Sequence, residues 1–282
     1  MELRSVLVLG LGEVGRAMYE IISESNKYNT YGYDTDPSRT IHKLDEIPVP
    51  IDIIHICYPY RDEESFISIS TNYIKRFRPR LVIIDSTVAV GTTETLYRKT
   101  NTLIVHSPIR GKHPYLKEHI RFWTKYIGPI NNEAGKLAKE YFESLGLKVK
   151  VLSSPRETEL GKLLETTYRA LLIAWWQEMH RIAHYLGVNF LEAIDIVIDT
   201  HKVLRDRPIY YPDYIGGHCL IPNAKILLKK YRSKFIEAIL ESNEYRKEEK
   251  QKENILREIE IMKRIAEEFI NKDYYRSFSK NR

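Results

Sequence analysis

The stretch GGHCLIPN, residues 216–223, places one of only two cysteines in a 282-residue chain directly after a Gly-Gly-His corner. A thiolate is a strong nucleophile toward a carbonyl carbon, but a solitary cysteine is more often a small apolar packing residue. The neighbours of Cys219 alone leave both readings open. His218 beside it is either an activator of the thiol or a capping residue. Lys162 is flanked by Leu160, Leu163 and Leu164. An ammonium there either stabilises negative charge at a reacting oxygen or snorkels along an apolar face.

A second chemical signature lies at the start of the chain. The apolar run SVLVL, residues 5–9, stops at GLGEVG, and RAMYEIISES continues with helical spacing. Strand, tight turn and helix in that order suit a dinucleotide. Gly10 permits the turn, Gly12 admits the pyrophosphate to the backbone, and Gly15 lets the helix pack on the strand. The loop residues Gly10, Leu11, Gly12, Glu13, Val14 and Gly15 are therefore assigned to a cofactor. YNTYGYDTD forms a second strand ending at Asp34, 24 positions after Gly10. An acid there accepts from both ribose hydroxyls and repels a 2′-phosphate, which favours NAD over NADP. The plainer alternative is that Asp34 and Asp36 only begin a turn before Pro37.

These groups need elements to position them. Further buried-strand runs occur at 52–59, 80–87, 101–108 and 124–130, with helical stretches between several of them. That alternation implies an α/β fold with a mostly parallel, doubly wound sheet, whose ligands gather at the carboxyl ends of the strands. Tyr58, Pro59, Ser86, Thr87, His106 and Ser107 all fall at such ends. From Glu157 to about Gly187 a helical period holds for some thirty residues. Its stripe of Leu163, Leu164, Leu171, Leu172, Trp175 and Met179 suggests burial against further helices or a second subunit. A shorter helix, NFLEAIDIVID, follows, and then the irregular stretch THKVLRDRPIYYPDYIGGHC. The expected domains are residues 1–152 for the nucleotide-binding sheet, 153–250 for an all-helical domain with the cysteine loop, and 251–282 for a charged terminal helix.

The composition, 43% hydrophobic and 29% charged, is that of a globular chain with a real core. No apolar run approaches the roughly 20 residues that span a bilayer, and no cleavable leader is visible. A cytoplasmic protein without a membrane partner is expected, its two thiols reduced. The net charge of +6 and pI near 9.0 would admit nucleic acid. Much of the basic charge, however, is interleaved with glutamate in the tail, as on a solvated helix face, and no nucleic-acid motif is present. No metal-ligand set is read from the sequence.

Together, GLGEVG, DSTVAVGTTETL, ETELGKLLETTYRALLIAWWQEM and GGHCLIPNAKIL resemble the UDP-glucose/GDP-mannose 6-dehydrogenase family, in order and over nearly the whole chain. The resemblance implies a Rossmann NAD domain followed by a helical dimerisation domain, hence a homodimer, with a sugar-like or anionic small-molecule substrate. It also implies that Cys219 attacks an aldehyde made by a first hydride transfer, after which a second hydride leaves and a thioester is hydrolysed. By the same resemblance Lys162 stabilises the oxyanion, Thr87 is the threonine of the strand end, Tyr58 lies in the cofactor region, and Arg205 matches a substrate-loop arginine. Gly217 and His218 belong to the substrate loop.

The departures from the family are specific. Asn223 stands where the family has aspartate, Ile109 where it has a glutamate that assists hydrolysis, and Thr166 where it has asparagine. The family also continues past the point where this sequence stops, into a nucleotide-sugar-binding domain. An amide orients water but does not take up a proton as a carboxylate does. Arg110, Lys112 and His113 in HSPIRGKHP offer cations for an anionic substrate, or else form a solvated basic loop. His106, His113 or His218 would supply a base in place of the carboxylates. Two alternatives to the four-electron oxidation follow: a two-electron alcohol or hydroxyacid dehydrogenase, and a non-catalytic nucleotide-binding dimer.

Overall fold

In a computed structural model, residues 5–112 and 114–271 are described. Contacts divide the chain into two compact units, Met1–Lys162 and Leu163–Arg282.

The first unit is a seven-stranded sheet. Its strands are β1 (Ser5–Leu9), β2 (Asn29–Tyr33), β3 (Ile53–Ile56), β4 (Leu81–Ile84), β5 (Leu103–His106), β6 (Lys125–Pro129) and β7 (Val149–Val151), ordered β2-β1-β3-β4-β5-β6-β7. The first five are mutually parallel, β6 runs antiparallel to β5, and β7 is parallel to β6. The mostly parallel sheet read from the sequence is present. The strand β7 was not foreseen: three residues, two of them exposed, carry no apolar run to announce it.

Both faces of this sheet are covered, which is why β3 and β4 read as continuous apolar runs. One core lies against α1 (Glu13–Glu24), α4 (Leu116–Phe122) and α5 (Asn132–Ser144). The other lies against α2 (Glu63–Phe77) and α3 (Thr92–Thr100). The long helix α6 spans Pro155–Leu186, and its first two turns are tied to the sheet unit. The Glu159 carboxylate accepts from the Gly91 and Thr93 backbone N–H groups at 2.7 and 2.9 Å, capping α3. The Thr158 hydroxyl lies 2.8 Å from Nδ1 of His106. These contacts carry the unit boundary to Lys162, ten residues beyond the expected 152.

The second unit contains the rest of α6 with α7 (Phe190–Ala193), α8 (Asp195–Leu204), α9 (Leu220–Lys230), α10 (Lys234–Glu249) and α11 (Glu253–Glu268). The single helix expected from NFLEAIDIVID is therefore two, and the second runs on to Leu204. Arg205 ends it with a left-handed φ of +58°. The terminal charged helix α11 buries Ile255, Ile259, Met262 and Ala266, the last two in a core shared with Trp176, Ala183 and Phe190. The apolar stripe of α6 divides between two faces. Leu163, Ala170, Ala174 and Trp176 point inward. Leu164, Tyr168, Leu171, Trp175, Ile182 and Tyr185 are exposed, while Ala170 and Ala174 share a cluster with Ile215, Leu220, Ile221 and Ile239. No described helix is long and apolar enough to cross a membrane.

Candidate active site

The glycine turn has the geometry that its sequence requires. Gly10 has φ +85°, and a Cβ there would lie 2.7 Å from the Tyr58 nitrogen. A Cβ on Gly15 would lie 1.7 Å from the Gly10 carbonyl oxygen, so no larger residue fits. Gly12 meets nothing closer than Nη1 of Arg39, at 3.9 Å, so its backbone is open to an approaching phosphate. Leu11 is buried, Val14 half-buried and Glu13 exposed at the first turn of α1. Asp34 stands just past β2. Its Oδ2 accepts from the Leu11 N–H at 2.6 Å and its Oδ1 from the Asp36 N–H at 2.8 Å. The carboxylate is thus locked to the glycine turn, with lone pairs remaining for hydroxyl donors. These residues fit a dinucleotide. Arg39, five residues after Asp34, is the nearest side chain to the opening at Gly12 and pairs with Asp36 at 3.3 Å.

Tyr58 meets this turn through its backbone. Its side chain goes the other way: the hydroxyl lies 2.7 Å from Oγ of Ser70 on α2, and burial holds the phenol un-ionised. Ser86 fixes the adjacent strand end by donating to the Tyr58 carbonyl at 2.6 Å, leaving Thr87 half-buried at the end of β4. His106 is fully buried, with Nε2 3.1 Å from the Ser86 carbonyl. Burial pushes its pKa down to about 3. A ring with both nitrogens engaged and so little affinity for a proton is not the base the sequence suggested. Arg110 stacks between the rings of Trp123 and Tyr126, at 4.8 and 5.0 Å, and donates to the Thr124 carbonyl. His113 lies outside the described residues, and Ile109 is buried.

Beneath these strand ends is a buried polar group that no motif announced. Asp85 accepts from the Lys125 ammonium at 2.7 Å and from Nδ1 of His55 at 2.6 Å. The Tyr141 hydroxyl, 2.9 Å from Nε2 of His55, completes the chain. Burial alone would raise the Asp85 pKa, but the charge of Lys125 and the His55 contact outweigh it and hold the carboxyl low. Lys125 also donates to the Ser107 carbonyl, and the Cys57 thiol, 3.7 Å away, donates to Asp85. Burial and the Asp85 charge push that thiol well up, so Cys57 is a packing thiol. Lys162 is half-buried on α6, and its ammonium is near enough to His106 and Lys125 for its charge to act on both.

In the helical unit, Cys219 is exposed and occupies the N-cap of α9. A negative charge formed on its sulfur would face the positive end of the helix. Gly216, Gly217 and His218 before it are exposed, and Gly217 has φ +79°. Arg205 is exposed at the far end of the preceding loop. That loop is pinned by side chains the sequence reading passed over. Trp176 donates to the Pro208 carbonyl, Gln177 to the Asp213 carbonyl, and Asn243 brackets Ile215 by accepting from its N–H and donating to its C=O. Asn223, one turn into α9 from Cys219, is buried and donates to the Thr166 hydroxyl at 3.2 Å. Two of the three positions read from the sequence as departures from the family therefore touch each other.

Residues 156–245 match the model of the UDP-glucose/GDP-mannose dehydrogenase family, central domain. The UDP-N-acetyl-D-mannosamine dehydrogenase of Pyrococcus horikoshii is 31% identical over 169 residues, 56% of this chain and 40% of that protein. The Methanocaldococcus jannaschii protein of the same name is 26% identical over 218 residues, 72% of this chain and 50% of that one. The chain thus spans about half the length, or less, of these relatives. The solved UDP-D-ManNAc dehydrogenase structure from Pyrococcus horikoshii superposes with a TM-score of 0.74 at 23% identity, covering 85% of this chain and 68% of that one. That likeness establishes the fold: a Rossmann-like sheet followed by helices. In residues 156–245 the chain is thus similar to the central domain of the UDP-glucose/GDP-mannose dehydrogenase family, and its first 162 residues carry the glycine turn in the order that the fold requires.

Proposed function

We propose that this protein is an NAD-dependent dehydrogenase that oxidises a primary alcohol of a sugar-like substrate, with Cys219 as nucleophile. The observation that carries this reading is the glycine turn locked to Asp34 through the Leu11 N–H. Its carboxylate would take ribose hydroxyls and repel a 2′-phosphate, which favours NAD. NAD, when bound, supplies the hydride acceptor. The names of the curated relatives make UDP-N-acetyl-D-mannosamine the first substrate to try. Two thiols without a disulfide suit a cytoplasmic setting.

In this reading the alcohol carbon loses a hydride and its hydroxyl a proton, giving an aldehyde. The Cys219 thiolate adds to the aldehyde carbon, and Lys162 stabilises the oxygen on which negative charge collects. A second hydride and the hydroxyl proton leave this thiohemiacetal, forming a thioester. Water then cleaves the C–S bond, releasing the acid and returning the thiol. The sum is two hydrides per alcohol. Thr87 at the strand end, Arg205, Gly217 and His218 serve to hold substrate.

One observation favours a second reading, in which oxidation stops after two electrons. The Asn223 amide is bonded to the Thr166 hydroxyl, a neutral pair that does not draw a proton from water as a carboxylate does. The ratio of NADH to substrate separates the two: two for the full reaction, one for the shorter. Absence of NADH from every sugar nucleotide, despite NAD binding, would leave only a binding protein.

We also infer a homodimer through the helical unit. Leu164, Tyr168, Leu171 and Trp175 recur at intervals of four, three and four residues and are exposed. That is the period of a helix seam that packs on another helix. Leu171→Glu is expected to halve the sedimenting mass, and an unchanged mass would count against the seam.

A further inference from the structure

His180 and His184 stand one turn apart on α6. The Nε2 atom of each lies 2.7 Å from the same oxygen, Oε2 of Glu258 on α11. The imidazole rings meet edge to face with centroids 4.6 Å apart. All three ligand-type atoms lie within 4.8 Å of one another. Two imidazole nitrogens and a carboxylate oxygen converging on one point, from a rigid helical pair and a neighbouring helix, form a three-ligand set of the kind that holds zinc.

We propose that His180, His184 and Glu258 bind a divalent transition-metal ion of the Zn²⁺ type, clasping α11 to α6. The donor set selects the ion class. Imidazole nitrogen suits Zn²⁺ and its neighbours in the first transition row, whereas Mg²⁺ and Ca²⁺ take oxygen ligands. Metal–ligand bonds of about 2.0–2.1 Å place tetrahedral donors roughly 3.3 Å apart. The carboxylate oxygen therefore needs to draw back from the two nitrogens by well under ~1 Å, and the two imidazole nitrogens, within 4.8 Å of each other, need to settle at that same separation. The His180 side chain is 0% exposed, while those of His184 and Glu258 are 35% and 27% exposed. One ligand is thus held rigidly by packing, and the other two open a path for the ion and for a water in the fourth position.

Arg246 shapes the affinity. Both of its terminal nitrogens lie 3.2 Å from Nδ1 of His180. A guanidinium only donates, so without metal the His180 proton resides on Nε2 and is given to Glu258. Metal uptake frees Nε2 as that proton passes through solvent to Nδ1. No electron moves, and the ring stays neutral. Arg246 then retains the Gln177 carbonyl at 3.0 Å and Glu249, 3.3 Å from its Nε. The arginine thus opposes the metal-binding tautomer, and an acceptor in its place would support it. The sequence carried half of this signal, the His-x-x-x-His spacing in MHRIAH. The acid lies 74 positions beyond the second histidine.

The test uses the full chain, stripped with chelator and titrated with Zn²⁺ by calorimetry, and with Co²⁺ for its visible spectrum. The expected result is one ion per chain, a Co²⁺ spectrum of low coordination number, and a higher thermal midpoint with Zn²⁺. His184→Gln and Glu258→Gln, checked for folding by circular dichroism, should each weaken binding by at least about tenfold. Arg246→Gln, whose amide oxygen can accept from Nδ1–H, should tighten it. The proposal is overturned if the wild-type chain binds no stoichiometric ion. It is equally overturned if binding survives both ligand substitutions, which would locate the ion elsewhere. Binding by Arg246→Gln alone would also overturn it, and would mark the triad as a hydrogen-bonded clamp.

Discussion

The polar groups of the two units are held in opposite ways. In the sheet unit, Asp85, Lys125, His55 and Tyr141 are buried and satisfy one another. The glycine turn above them is so crowded that Gly15 has no room for a methyl group. In the helical unit, Gly216 to Cys219 lie exposed, nothing lies within 4 Å of where a Cβ on Gly217 would be, and the order of the loop comes from Trp176, Gln177 and Asn243 behind it. A cofactor cradle made of backbone must be held to within roughly 0.5 Å, and packing supplies that. The proposed nucleophile, Cys219, would have to be reachable, and it is exposed at a helix end whose loop is braced from behind.

Substitutions that act on one side of this contrast test it. The largest effect is expected for Gly15→Ala, whose Cβ would be driven into the Gly10 carbonyl. This exceeds ordinary overpacking of about 1–3 kcal/mol, and NAD affinity should fall by more than about a hundredfold by calorimetry. Gly217→Ala has open space and only a positive φ to bear, worth about 1 kcal/mol. Equal losses from the two variants would break the contrast. Next in size is Lys125→Met, which leaves Asp85 charged and buried without its main partner. A loss of about 3–5 kcal/mol in urea unfolding is expected, and a loss below about 1 kcal/mol would mean that the pair is only a surface-type contact.

The most gradual effect is a pH dependence, small for each pH unit. His106 has its pKa lowered from 6.5 to about 3 in the folded state. Between those values the unfolded chain binds a proton that the folded chain refuses. Its contribution to stability is therefore complete above pH 6.5 and falls as the pH drops toward 3, by up to about 1.4 kcal/mol per pH unit. Unfolding midpoints from pH 7 downward, compared with those of His106→Gln, isolate this residue. An identical slope in the variant would assign the acid sensitivity to other groups.

What the sequence disclosed follows the same division. GLGEVG and Asp34 were legible because strand, turn, helix and acid are consecutive, so local pattern determines their geometry. The strand ends carrying Thr87 and His106 were legible because two-face burial makes their strands uniformly apolar. The Asp85–Lys125 pair was not, since its partners are 40 positions apart and each reads as an ordinary strand-end charge. Nor was the division of the α6 stripe: a hydrophobic period identifies a helix but not which apolar residues find partners. Cys219 and Lys162 could be singled out only through the family resemblance, as their neighbours permitted packing or snorkelling equally well. The contact between Asn223 and Thr166 turns two separate departures from the family into one local change of chemistry.

The central claim is that Cys219 forms a covalent bond to substrate during an NAD-dependent oxidation. The most direct measurement is acid formation from a sugar nucleotide and NAD by the wild-type chain and by Cys219→Ala, with folding of both verified. The account predicts that the wild type forms acid and that the variant forms none above background while still binding NAD. Undiminished acid formation by Cys219→Ala would contradict it.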